Sequence, residues 1–215
     1  MSGRVEGSLK LTELYTTTET KLFKKLNTPR KIQDFLVFEI EHNPAKDGIE
    51  CRSPREVLKL GKAHCMEGAL LAAAILEYHG AKTLLMDLRS TNDDLDHVVT
   101  LFRQFGCFGA ISKTNHVVLR YREPIYKTLR ELALSYFHEY FLDSGRKTLR
   151  EYSRPFNLNR LNHLDWRTSD KDLIEVPEAL DNVKHFQILN AKQIKNLRKA
   201  DGIEIKAGKL KEWRK

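Results

Sequence analysis

The sequence predicts an α+β fold in which a buried helix, carrying a cysteine at its N-terminal end, packs on an antiparallel sheet. From Met66 to His79 nearly every residue is apolar or Ala, and a helix that is apolar almost all round is a buried one. After Gly80 the period changes. Short runs of apolar and β-branched residues follow with brief connections, the pattern of strands. A wide apolar stripe formed by Ile125, Leu129, Leu132, Ala133, Tyr136, Phe137, Tyr140 and Phe141 then predicts a further helix.

Length and composition set the frame. With 215 residues, 41% of them hydrophobic, the chain suits one domain over about residues 1–189, its core over about 53–145, plus a basic tail over 190–215. The net charge of +8 is ordinary for solubility. No nucleic-acid motif or aromatic interleaving accompanies it, so nucleic acid is disfavoured as a partner. Cys51, Cys65 and Cys107 are odd in number and lack CxxC spacing. A disulfide framework and a zinc site are therefore not expected. No apolar run reaches the roughly 18 residues of a membrane span. The expectation is a reduced, cytoplasmic chain with no cofactor.

In chain order, the Thr-rich stretch Ser2–Thr18 predicts an irregular lead-in. Thr28-Pro29 reads as an N-cap with proline at N1, opening an amphipathic helix to Glu41; Phe35–Val37 reads alternatively as a strand start. Pro44 and Asp47-Gly48 signal turns in a loop over Asn43–Arg52. Ser53-Pro54-Arg55-Glu56 is a capping box that starts a short helix ending near Gly61. Cys65 then falls at the first turn of the buried helix, where unpaired N–H groups and the dipole favour a thiolate. Gly80 is its C′ stop.

Lys82–Leu88 predicts a buried strand, Arg89–Asp96 a polar loop and His97–Arg103 a second strand. His97, Val99 and Leu101 share one face, expected to be the one packed on the central helix. Cys107–Ser112 predicts a third strand. A two-residue loop at Gln104-Phe105 pairs His97 with Ser112; longer loops bring Lys113 or Thr114 there instead. Asn115–Tyr121 reads as a strand or edge segment. Thr168 or Ser169 caps a helix over Asp170–Glu175, and Pro177 begins another. From Asn190 onward no period is visible, and a mobile tail is expected, with a contact surface as the alternative.

A cysteine at a helix start, a histidine at a strand start and a polar residue on the next antiparallel strand form the order of a Cys-His acyl-transfer site. AHCMEGALLAAAILEYHGAKTLLMDL, DHVVTLF and GCFGAIS resemble the transglutaminase-like superfamily, related to papain, over about Ser53 to Lys113. The remainder resembles a bacterial branch of it. The resemblance implies a papain/transglutaminase-like core, a thiolate at Cys65, an imidazole at His97 and an orienting residue at Ser112. It also implies a peptide or protein amide as substrate. Two positions depart from the pattern. Ala63 stands where Gly is common, and Ser112 where Asp is common. A hydroxyl orients an imidazole but supplies no charge, so a catalytically inactive interaction module is the alternative.

Each residue also has a plainer reading. His97 reads as a structural histidine, Ser112 as a strand end, and Cys65 as a small core residue. Cys107 reads as core, Cys51 as an exposed, incidental loop residue, and His64 as exposed. Arg120, Arg122 and Lys127 read as a solvated face. Asp96 reads as a loop cap. His116 and His138 lack partners at metal-ligand spacing.

Overall fold

The computed structural model describes residues 11–43 and 50–211. The N-terminal stretch is more regular than its composition suggests. Leu11–Leu14 (α1) and Thr17–Lys25 (α2) are helical. The Thr16 hydroxyl accepts the Glu19 N–H at 3.2 Å, and the Glu19 carboxylate accepts the Thr16 N–H at 2.7 Å. Threonines are modest helix formers, so this reciprocal cap and the burial of Phe23 hold the turn.

Pro29–Phe38 (α3) begins at its Thr28 cap with Pro29 at N1, as expected, and Phe35–Val37 is helical. Glu41–His42 (β1) follows. The turn signals at Pro44 and Asp47-Gly48 lie outside the described residues. Pro54–Leu60 (α4) is capped by Ser53, whose hydroxyl accepts the Glu56 N–H at 3.3 Å. The Glu56 carboxylate turns to Lys59, at 2.5 Å. Gly61, at φ 65°, ends the helix. Lys62–Ala63 (β2) then pairs in parallel with β1, setting His42 beside Ala63.

Cys65–Tyr78 (α5) is the central helix, buried at every residue from Met66 to Glu77. Gly80 stops it at φ 82°. The Gly80 and Ala81 N–H groups close on the Glu77 and Leu76 carbonyls at 2.8 and 3.0 Å, a Schellman ending.

Leu84–Arg89 (β3), His97–Gln104 (β4), Cys107–Ile111 (β5) and Arg122–Tyr126 (β6) build the sheet. Leu129–Phe137 (α6) follows, started by a Thr128–Glu131 capping box. Glu151–Ser153 (β7), Phe156–Asn157 (β8) and a 3₁₀ segment over Leu158–Leu164 come next. Glu175–Asp181 (α7), His185–Gln187 (β9), Ala191–Lys195 (α8) and Gly202–Gly208 (α9) complete the order. The sheet runs β6-β5-β4-β3-β7-β9, with β8 also on β3, and these pairings are antiparallel. The fold is α+β.

Several expectations are corrected. The hairpin turns at Phe105-Gly106, with φ 54° and 74°, not at Gln104-Phe105. Positive φ at both turn positions is the demand of a type I′ turn, and Gly meets it best at the second. Gln104 therefore pairs with Cys107 and Thr100 with Ile111. The slip of two residues leaves Ser112 diagonal to His97, not opposite it, but keeps its face.

The face of β4 expected against α5 packs elsewhere. Val99 and Leu101 join Leu132, Ala133 and Tyr136 of α6, while Val98 and Phe102 join the clusters that contain α5 residues. The Thr100 hydroxyl donates to the Ala69 carbonyl of α5 at 2.7 Å. Both faces of β4 are apolar and covered, so alternation could not rank them.

Asn115–Tyr121 contains no strand; His116 makes an isolated bridge to Lys211. The strand comes after it, at β6, and Ile125 belongs there, exposed. Residues 170–174 are not helical, and α7 begins two residues before Pro177. The tail folds into α8 and α9. The Val117 N–H donates to the Leu210 carbonyl, and the Ala200 N–H to the Gly145 carbonyl, at 3.0 and 2.8 Å.

Candidate active site

Cys65 opens α5 and is partly exposed to a cleft of about 1210 Å³. His64 precedes it in extended backbone, so the helix begins at the cysteine. His97 opens β4. His97 lies close enough to the Cys65 sulfur to help lower the pKa of the thiol.

Ser112 lies behind His97, its Oγ 2.7 Å from Nε2. The Ser112 hydroxyl donates to the Leu119 carbonyl at 2.5 Å. A hydroxyl has one proton, so towards His97 the oxygen accepts, and Nε2 carries a hydrogen. That leaves Nδ1 for the sulfur. The structure therefore brings together Cys65, His97 and Ser112.

The surroundings hold this chain of contacts in place. The Gln33 side chain of α3 brackets the Ser112 backbone: its amide donates to the Ser112 carbonyl at 2.8 Å, and its oxygen accepts the Ser112 N–H at 2.9 Å. Leu119 is a non-glycine residue at φ 60°, a sparsely populated conformation. The Glu139 carboxylate accepts its N–H at 2.8 Å and pairs with Arg122 at 2.6 Å. Arg122 also lies 4.0 Å over the Tyr136 ring. It is a structural cation, not part of a solvated face.

Sequence reasoning left out one group at the sulfur. His64 is buried, not exposed, and its imidazole is the other ring that lowers the Cys65 thiol. Its Nε2 donates to the Glu50 carbonyl at 2.9 Å and lies 3.6 Å from the Glu67 carboxylate. Glu67, fully buried, accepts the His64 backbone N–H at 3.0 Å. A glutamate three residues after the residue before a helix is an N-terminal capping signal, and it was legible at Glu67. Gln33 carries no such signal; it is a polar residue in an otherwise amphipathic helix.

Burial alone would raise the Cys65 thiol. The hydrogen bonds from His64 and His97, and the charges of both rings, outweigh it and bring the pKa down to about 5. For His64, burial opposes the cation, but the hydrogen bond and charge of Cys65, then Glu67 and the Glu50 carbonyl, raise its pKa.

Cys51 shows the opposite. It is fully buried beside Trp166 and Leu173, and burial pushes its thiol far up. The expectation of an exposed residue fails because Asp172 and Leu173, distant in sequence, bind its backbone and cover it. Cys107 is core, as expected.

The Asp87, Asp96 and Asp181 carboxylates approach within 4.8 Å of one another beside the cleft. Asp87 is held by His185 Nε2 at 3.0 Å. Asp96 accepts the Ser90 N–H at 2.7 Å, the loop-capping role expected of it. At the other side, His116 Nδ1 donates to the Gly208 carbonyl at 3.0 Å, so the end of α9 borders the cleft.

In comparison with known proteins, no protein-family model and no curated protein matches the chain. No helix among the described residues is long and apolar enough to cross a membrane.

Proposed function

We propose that the chain catalyses cysteine-dependent acyl transfer or hydrolysis on an amide, from a papain/transglutaminase-like core. The Cys65 thiolate attacks the carbonyl carbon, a C–S bond forms, and the amine leaves with the thiol's proton. Water or a second amine then attacks the thioester carbonyl, His97 takes its proton through Nδ1, the C–S bond breaks with its electron pair on sulfur, and that proton returns to the sulfur to restore the thiol. The backbone N–H of Cys65, in the first turn of α5, is suited to receive the oxyanion.

The observation that carries this reading is the hydrogen bonding of His97. Its Nε2 is committed to Ser112, whose own proton is committed to Leu119, and its other nitrogen serves the sulfur. A histidine needed for packing alone has no reason to be oriented through two further groups onto a partly exposed thiol of depressed pKa. The cleft exceeds the roughly 300–1,000 Å³ of a small-molecule pocket. That size favours a peptide or protein amide as the substrate.

The test is a panel of ester, thioester and amide acyl donors, read by intact mass and peptide mapping. The expected result is a hydroxylamine-sensitive adduct on Cys65 that accumulates in His97→Ala. Failure of every donor to acylate Cys65 would sink the reading and favour an interaction module.

A further inference from the structure

Two imidazoles act on the Cys65 thiol, and they are backed differently. Each has its Nε2 committed to an oxygen acceptor, leaving Nδ1 for the sulfur. Behind His97 stands a neutral hydroxyl. Behind His64 stand a carbonyl at 2.9 Å and the Glu67 carboxylate at 3.6 Å. Glu67 has no exposed surface, and its position is pinned. One oxygen accepts the His64 N–H; the other accepts the Arg52 N–H and guanidinium, each at 3.2 Å. A buried carboxylate beside a ring nitrogen favours the charged ring over the neutral one.

The geometry points to a division of labour: His64, backed by Glu67, holds the thiol proton in the resting site, and His97 is the base for the acyl acceptor. In the first step the S–H bond of Cys65 breaks. Its proton passes to His64 Nδ1, and the electron pair stays on sulfur. The ion pair stands without the acyl-transfer reading, while the role given to His97 rests on it. This arrangement accounts for Ser112. A hydroxyl suffices behind His97 because the charge that stabilises the thiolate comes from His64.

The groups around His64 are consistent with it. Cys65 and Glu67 face it from α5, Glu50 and Arg52 from the preceding segment, and His42 from β1. His42 adds little opposing charge at neutral pH, since burial and Lys113, His116, His64 and Lys211 push it down to about 4. Arg52 acts on the far oxygen of Glu67, and His97 acts on the same thiol.

The test uses the full chain and iodoacetamide, which needs no acyl substrate. The alkylation rate of the Cys65 peptide is followed against pH in wild type, His64→Asn, Glu67→Gln and His97→Asn. Gln at 67 keeps an oxygen for the helix cap. The midpoint should rise by about one pH unit or more in His64→Asn and Glu67→Gln, and by less in His97→Asn. A larger rise in His97→Asn than in His64→Asn, or no rise in Glu67→Gln, would overturn the proposal.

Cys65→Ser provides a second measurement that leaves both rings in place. By NMR, the His64 ring should titrate lower than in wild type. A change confined to the His97 ring would overturn the proposal equally. If no acyl donor reacts while the midpoints move as stated, acyl transfer fails and the ion pair stands.

Discussion

At the N-terminal end of α5 the buried Glu67 meets Arg52 and His64; at the C-terminal end the buried Glu77 meets Arg167. The two glutamates occupy opposite ends of one helix dipole. A carboxylate is favoured near the start and disfavoured near the end. Glu77 therefore needs full compensation. Arg167 supplies it with two bonds, at 2.5 and 2.6 Å, and is itself held by Asn159 and Asn162, each at 2.9 Å. The guanidinium lies 4.2 Å over Trp166. That network is closed, and none of its residues lines the cleft at Cys65. Glu67 divides its oxygens between a cation and a backbone N–H, and it still lies close to an imidazole that acts on a thiol. The same residue type on the same helix is structural at one end and electrostatic at the other, and its partners make the difference.

Removing the nucleophile is the sharpest way to separate the ends. Cys65→Ala should lower acyl turnover about 10⁴-fold or more, with little change in the urea midpoint of unfolding. Retained turnover would move the chemistry away from α5 altogether.

Breaking the other end should do the reverse. Arg167→Ala leaves a buried carboxylate unpaired and should cost about 3–5 kcal/mol in urea unfolding. Glu77→Gln in the same chain should recover part of it. The alkylation midpoint of Cys65 should stay in place; if it follows the loss of Arg167, the two ends are coupled.

The thiols themselves provide the next comparison. With a pKa near 5, Cys65 is mostly protonated below that pH and mostly thiolate above it. Its alkylation rate should rise as pH climbs through about 5 and level off by neutrality, whereas a free thiol of pKa about 8.5 keeps gaining. Cys51, pushed up by burial, should react only after unfolding. Peptide mapping that finds Cys51 modified first would reverse the assignment.

The smallest effect is expected at the third position. Ser112→Ala should reduce turnover about 10-fold, a loss of about 1.4 kcal/mol, the order of one hydrogen bond. Ser112→Asp should not recover it, because a carboxylate would face the Leu119 carbonyl that now accepts the hydroxyl proton. Faster turnover in Ser112→Asp would show that charge behind His97 is limiting.

What was legible followed local rules. The capped starts at Thr28 and Ser53, the almost wholly apolar α5 and the Gly80 stop each depend on residues within a turn or two. The shared face of His97 and Ser112 survived an error in the hairpin because a slip of two preserves side-chain parity. Phe105-Gly106 was the missed clue, since Gly in the second turn position is itself the signal. His64 was missed because its inward turn depends on the Glu50 carbonyl and Glu67. The irregular path of residues 115–121 depends on Glu139 and on the end of α9.

The sequence by itself determined which side chains could meet: Cys65 at a helix start, with His97 and Ser112 on one face of neighbouring segments. Periods of 3.6 and 2 are written in adjacent residues, so composition and spacing suffice for that. Tertiary structure alone decided what surrounds them. It chose α6 over α5 for the Val99 and Leu101 face of β4. It buried Cys51 through Asp172, 121 residues away, and locked Ser112 to Gln33, 79 residues away. Burial and hydrogen-bond partnership belong to pairs of segments, and no period within one segment encodes its partner.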